Sequence, residues 1–283
     1  MAGRFYTGCA VWGHTPWVGG LYPRGTPQRE FLNVYAQRLT AVEGNTTFHA
    51  MPSAANVARW ATQVGETFRF LPKIHRSISH EGDLAGKGHS AQAFIELMQA
   101  GLGPRCGPFF LQLPPSYGPD RMSDLTRFLG RWPSQVPLAL EVRDLAWFRR
   151  GNLAQLDATL RRFSVSRVLL DTNPCYRAPD NPMATAVRVK PDLPVEASVT
   201  TDFVLVRYIG HPVPERNEDF LSAWAERVCR WLRGGVDVYF MLHCPIEDHS
   251  PALALRFHAL LTALDPSVPP LPWAHAPGQM ALL

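Results

Sequence analysis

The sequence predicts an α/β chain folded as a single (β/α)8 TIM-type barrel, and three observations carry that prediction. Eight short apolar runs alternate with mostly helical stretches along 283 residues, the rhythm of parallel strands joined by crossover helices. Several of those runs end in charged or amide side chains, where a barrel carries its functional groups. The first run leads into Gly8-Cys9-Ala10-Val11-Trp12-Gly13, which lacks the G-x-G-x-x-G fingerprint of a doubly wound nucleotide-binding sheet.

Taken in order, Phe5–Ala10 is the first predicted strand, followed by a long connection holding Trp12, His14, Trp17 and Tyr22-Pro23. Thr26 is the expected cap of the next helix, with Pro27 at its first position and Phe31, Val34, Tyr35 and Leu39 on its apolar stripe. Ala41–Phe48 reads as the second strand, and Ser53 as the cap of a helix carrying Val57, Trp60 and Val64. Phe68–Ile74 is the third strand, and Gly107–Leu113 the fourth, stopped by Pro114-Pro115. The fifth begins the stretch Leu138–Phe148, whose apolar start fits a strand buried on both faces, with Pro137 at its entrance. Arg167–Asp171 is the sixth. A long irregular connection over 172–202 follows, with five prolines and a short strand expected at Ala186–Val189. Phe203–Tyr208 and Val236–Leu242 complete the set, and a helix over Ala252–Leu264 closes it. The expected organisation is one barrel over 1–265 and a proline-rich tail over 266–283 that wraps the surface or stays disordered.

Composition narrows the class. Hydrophobic residues make up 46% and charged residues 18%, which excludes an intrinsically disordered chain. The start of the chain lacks a basic-then-apolar signal pattern and no apolar run suits a membrane span, so a cytoplasmic protein without a membrane partner is expected. A net charge of +4 with pI near 8.9 suits an anionic ligand but makes no case for nucleic acid. The five cysteines include no C-x-x-C pair, which argues against a disulfide framework or a sulfur-rich zinc site.

Six stretches then resemble one family. The opening Gly8-Cys9-Ala10-Val11-Trp12-Gly13-His14 with Trp17, Gly19 and Leu21-Tyr22-Pro23 is similar to G-T-S-G-W-S-Y-x-x-W-x-G-x-F-Y-P. Glu43-Gly44-Asn45-Thr46-Thr47-Phe48-His49 is similar to E-I-N-S-T-F-Y, and Lys73 with Ile78-Ser79-His80 to K-x-x-x-x-I-T-H. Leu111-Gln112-Leu113-Pro114-Pro115-Ser116 follows F-Q-L-P-P-S, Leu140-Glu141-Val142-Arg143 with Ala146-Trp147 follows V-E-F-R-x-x-S-W, and Val206–His211 resembles a late Y-x-R-x-H-G element with its last two residues exchanged. The chain thus resembles the DUF72 (YecE-like) proteins, TIM barrels of uncharacterised function. It departs from them after Phe240, where Met241-Leu242-His243 and Ser250-Pro251-Ala252-Leu253-Ala254 stand in place of F-N-N and A-P-x-N-A. Cys9-Ala10 also replaces two hydroxyl residues. If those polar groups contact substrate in the family, this member uses a different ligand or has lost activity.

Strand ends supply the candidate site: Glu43, Asn45, Lys73, His75, His80, Gln112, Glu141, Arg143, Asp171, Arg207, His211 and His243, framed by Trp12, Trp17 and Trp147. Acid/base chemistry needs a donor and an acceptor in different environments, plus a fixed positive group where negative charge develops. Glu43, Glu141 and Lys73 are therefore the expected catalytic residues. Arg143 and Arg207 suit a phosphate or carboxylate, Asn45, His80, Gln112 and Asp171 are further substrate contacts, and Trp12, Trp17 and Trp147 form a stacking platform. Structural alternatives stand beside these roles: Glu43 bonding loop N–H groups, Asn45 fixing a turn, Lys73 reaching solvent, Gln112 bridging strands, Asp171 capping a loop, and the tryptophans sealing the barrel end. Arg143 either orients Glu141 or grips an anion.

The leading expectation is an enzyme acting on a small anionic or sugar-like substrate in the barrel mouth, without a cofactor. One alternative is a metal-dependent phosphoesterase or nuclease, for which Glu43, His80, Glu141, Asp171, His211 and His243 offer dispersed ligands, although no metal site is assigned. The other is a barrel that binds an anionic metabolite without turning it over.

Overall fold

A computed structural model describes residues 2–186 and 189–275. Nine strands are found among the described residues: β1 Phe5–Cys9, β2 Ala41–Gly44, β3 Arg69–Pro72, β4 Phe109–Gln112, β5 Leu138–Glu141, β6 Val165–Arg167, β7 Leu169–Asp171, β8 Phe203–Ile209 and β9 Asp237–His243. Every pair is parallel, in three sheets ordered β1-β9-β8-β7, β2-β3 and β4-β5-β6. The fold is α/β with helices between strands, as the alternating pattern predicts.

The strand ladders do not close on themselves. Between β3 and β4 only the isolated bridges Phe70–Cys106 and Lys73–Phe110 form. Between β1 and β2 the Tyr35 hydroxyl takes the place of a ladder: it accepts from Cys9 N–H at 2.6 Å and donates to the Ala41 carbonyl at 3.0 Å. Glycine is required at position 8 because a Cβ there would stand 1.8 Å from the Ala41 carbonyl oxygen. The predicted sixth strand is split at Val168. Its first half pairs with β5 and its second with β8, so one stretch joins two sheets by exchanging hydrogen-bond partners.

Inward positions from all the sheets meet in one apolar interior made of Tyr6, Ala41, Leu71, Phe110, Ala139, Val168, Phe203, Leu205, Tyr239 and Met241. Helices cover the outer strand faces. Phe257 on Ser250–Leu264 stacks on Phe240 with ring centres 3.9 Å apart, and Trp224 on Glu218–Arg233 meets the same ring edge-on. Burying each such ring contributes about 1.5–3 kcal/mol.

Ser53 caps Ala54–Thr62 as expected, accepting from Asn56 N–H at 3.2 Å. Thr26 does not cap a helix. Its hydroxyl is spent on the Pro23 carbonyl, and a 3-10 turn at Gln28–Glu30 intervenes before Phe31–Ala36. The second strand ends at Gly44, four residues before Phe48, because Thr46–His49 turns into a short helix. In the long connection, Asn173–Tyr176 and Pro182–Thr185 form single helical turns. The strand expected at Ala186–Val189 runs through 187–188, outside the described residues. Among the described residues no helix is long and apolar enough to cross a membrane.

Candidate functional site

Strand geometry builds the site. Side chains two residues apart share a face, so the interior residues Ala41, Leu71, Phe110, Ala139, Leu205 and Met241 are followed on that face by Glu43, Lys73, Gln112, Glu141, Arg207 and His243. All six are buried. Apolar residues floor the interior, and one more step along each strand places a polar layer above it.

Arg207 is the hub. Its Nε and one terminal nitrogen grip both oxygens of Glu43 at 2.7 and 2.8 Å, and the other terminal nitrogen donates to Glu141 at 2.6 Å. Arg143 Nε donates to the second Glu141 oxygen at 2.6 Å, and His243 Nε2 lies 3.1 Å from Glu43. The guanidinium stacks 4.9 Å from the centre of Phe110. Such pairing is what makes buried charges tolerable. Burial pushes the Glu43 carboxyl up, but Arg207 and His243 outweigh it and hold the group well below the usual carboxylate range. For Glu141 burial is likewise outweighed by Arg207 and Arg143, which bring it down to about 2.

Lys73 differs. Its ammonium donates to the amide oxygens of Asn45 at 3.0 Å and Gln112 at 2.9 Å, both neutral. It also faces the rings of Phe48 and Phe110 at 4.6 and 5.1 Å. Burial, with Arg207 adding repulsion, lowers it to about 7. Two amide oxygens match the two N–H groups of a neutral amine, so protonated and neutral forms can both be accommodated.

Beside this layer opens a cavity of about 310 Å³ whose lining includes Asn45, Met183, Lys190, His243 and Glu247. Burial lowers Lys190 to about 8, helped by Arg207 and Arg143, and raises Glu247 to about 8. His243 is brought down to about 4 by burial, which leaves its imidazole neutral near pH 7.

The structure brings together Glu43, Asn45, Lys73, Gln112, Glu141, Arg143 and Arg207. His80 sits at the rim, its ring 5.0 Å from Phe48, and is lowered to about 4 by burial and Lys73. Four expected contacts point elsewhere. Trp147 is buried with its indole N–H on the Tyr117 carbonyl at 2.7 Å, and Trp17 is buried with its own on the Glu247 carbonyl at 3.1 Å. Trp12 packs edge-on against Trp60 and Phe70. Asp171 receives Trp224 N–H at 2.6 Å on one oxygen and Asn173 on the other. Rings that fasten loops to the wall cannot also form an open stacking platform. Among the described residues no three His, Cys, Asp or Glu side chains gather to hold a metal, since Arg207 occupies both central carboxylates.

Neither motif nor strand-end position singles out Lys190 or Glu247, because both stand in connections. One signal was available. The chain has only three lysines among 28 basic residues, and two of them lie here. Lysine, unlike arginine, readily gives up its proton when buried, so a scarce lysine in an arginine-rich chain is worth locating.

Fold and site together define a class: an α/β protein of parallel strands whose inner strand ends carry a buried lattice of guanidinium, carboxylate and amine. Residues 6–276 match the family described as "Protein of unknown function DUF72", and the chain belongs to that family. It is 32% identical over 268 residues to the UPF0759 protein YecE of Escherichia coli K12, covering 93% of this chain and 94% of that protein. The UPF0759 protein YunF of Bacillus subtilis is 25% identical over 152 residues, half of this chain and 52% of that one. A DUF72 family crystal structure from Thermotoga maritima has a similar fold, with a TM-score of 0.68 at 20% identity over 91% of this chain and 99% of that one. One from Enterococcus faecalis scores 0.64 at 18% identity, over 93% and 97% of the two chains.

Proposed function

We propose that the strand-end lattice is the active site of an enzyme performing acid/base chemistry on a small anionic or sugar-like compound at the open end of a (β/α)8 barrel. The observation that carries this reading is Lys73: a buried amine between two neutral amide oxygens, lowered to about 7 and so able to give and take a proton near neutral pH. Glu43 and Glu141, the expected proton carriers, take a different part. Both are held ionised by Arg207, and they keep that guanidinium and Arg143 in place. Arg143 uses only its Nε on Glu141, and its two terminal nitrogens have no protein acceptor among the described residues. That leaves a fork for a phosphate or carboxylate. Lys73, Arg143 and Lys190 together exceed the carboxylate charge left after Arg207 is paired, and an anion restores the balance. All five cysteines are unpaired, which suits a reducing compartment such as the cytoplasm.

The test is a turnover screen of phosphorylated and carboxylated sugars and hydroxy acids, run on the wild type, Lys73→Met and Arg143→Ala. Lys73→Met should abolish turnover while the ligand still binds, and Arg143→Ala should weaken binding. A converted substrate whose turnover is indifferent to Lys73 would refute the assignment. Tight binding with no conversion of any ligand would leave a binding protein in its place.

A further inference from the structure

We infer that the cavity between the long connection and the end of β9 selects ligands that carry a hydroxyl beside their anionic group, Lys190 taking the anion and Glu247 the hydroxyl. This deepens the proposed anion site and rests on it. Lys190 is fixed through its backbone: its carbonyl accepts from the Tyr176 hydroxyl at 2.6 Å, and its N–H points at Met183 Sδ at 3.5 Å. Lys190 is among the residues lining the cavity, and its ammonium has no hydrogen bond or ion pair among the described residues. Glu247 is fixed in the same way, its carbonyl held by the buried Trp17 indole, while its Oε1 is buried with no hydrogen-bond partner. Ser250 Oγ is also buried without a hydrogen bond of full geometry, and its hydroxyl, close to the Glu247 carboxyl, opposes the rise that burial causes there.

Buried polar atoms in folded proteins nearly always have a partner, and those that lack one mark strain or a missing ligand. Here one such atom, Glu247 Oε1, belongs to a residue that lines, with the half-buried Lys190, a single cavity of about 310 Å³, the small end of the range that takes small molecules. An ammonium calls for an anion. A carboxyl that burial keeps protonated near pH 7 both donates and accepts, and a hydroxyl offers the same pair of roles. A cationic ligand group, which only donates, would call for a carboxylate. A site that completes a buried polar group with a ligand hydroxyl discriminates strongly against analogues lacking it.

Calorimetric titration of the whole chain with glycerol 3-phosphate and with n-propyl phosphate tests this, since the two differ in hydroxyls at equal charge. Wild-type protein should prefer glycerol 3-phosphate by on the order of tenfold, the worth of one well-made hydrogen bond. Glu247→Leu should erase the preference, Glu247→Gln should keep part of it, and Lys190→Met should weaken both ligands alike. Equal affinity of the wild type for both phosphates, with Arg143→Ala weakening both, would overturn this inference and leave the anion site standing. Failure of either phosphate to bind would remove the two together. A Glu247→Leu protein that melts lower yet keeps the preference would assign the buried oxygen to Ser250 and also overturn the inference.

Discussion

Replacing Glu43 by glutamine keeps the shape of the side chain and removes its charge, which isolates what the lattice contributes. Glu43 is 0% exposed and receives three hydrogen bonds, from Arg207 at 2.7 and 2.8 Å and from His243 at 3.1 Å. In Glu43→Gln one amide oxygen remains as acceptor, while the amide NH2 faces a guanidinium that can only donate. Arg207, itself 1% exposed, is then left with Glu141 alone. Breaking a buried pair from one side costs about 3–5 kcal/mol, and at about 2–4 °C per kcal/mol for a chain near this size Tm should fall by about 6–20 °C. The acid limb supplies a second readout. The folded-state value of Glu43 lies below its ordinary 4.5, so its stabilisation is complete above that value and is lost as pH falls through the depressed one. Thermal melts from pH 7 down to pH 3 should therefore show the wild type losing its advantage over Glu43→Gln as the pH drops. A variant melting within 2 °C of the wild type at pH 7, with a parallel acid profile, would refute the claim that Arg207 depends on this carboxylate.

Other substitutions separate structure from site. Asp171→Asn should cost about 1.5–3 kcal/mol by turning an amide donor toward a bonded N–H, while phosphate affinity by calorimetry stays within about twofold if Asp171 only fastens Trp224 and Asn173. Gly8→Ala should yield no folded protein by circular dichroism, because its Cβ would fall 1.8 Å from a backbone oxygen that cannot move without parting β1 from β2. Arg143→Ala should weaken phosphate binding by about 1.5–3 kcal/mol with a smaller loss in melting temperature, since Arg207 still holds the other Glu141 oxygen. Arg143→Lys should recover part of the binding because it keeps the charge and loses the fork.

Much of this arrangement is legible in the sequence because strand periodicity is local. An apolar residue at 41, 71, 139 or 205 with a charged one two positions on suffices to place Glu43, Lys73, Glu141 and Arg207 on one face. Pairing is not local. The partition of two carboxylates between Arg207 and Arg143 depends on strands 66 and 164 residues apart in the chain, so the sequence left Glu43 and Glu141 as equally free acids. Trp17, Trp147 and Asp171 are hard to place from sequence for the same reason. Their partners, the Glu247 carbonyl, the Tyr117 carbonyl and the Trp224 indole, lie in other elements, and a strand-end position alone does not reveal whether a polar atom is already taken. Lys190 escaped because a proline-rich connection has no period from which its direction could be inferred.

The proposed site sets two lysines of this chain before an anion and has them exchange protons near neutral pH. With three lysines in the whole sequence, the question can be read directly from the Cε–Hε resonances of protein labelled with carbon-13 lysine, titrated with and without inorganic phosphate. Two of the three should titrate near 7 and 8, Lys73→Met should remove the first, and phosphate should move both upward by stabilising the protonated amines. Three lysines titrating together near the ordinary 10.5, or two shifted lysines that phosphate leaves unmoved, would contradict it.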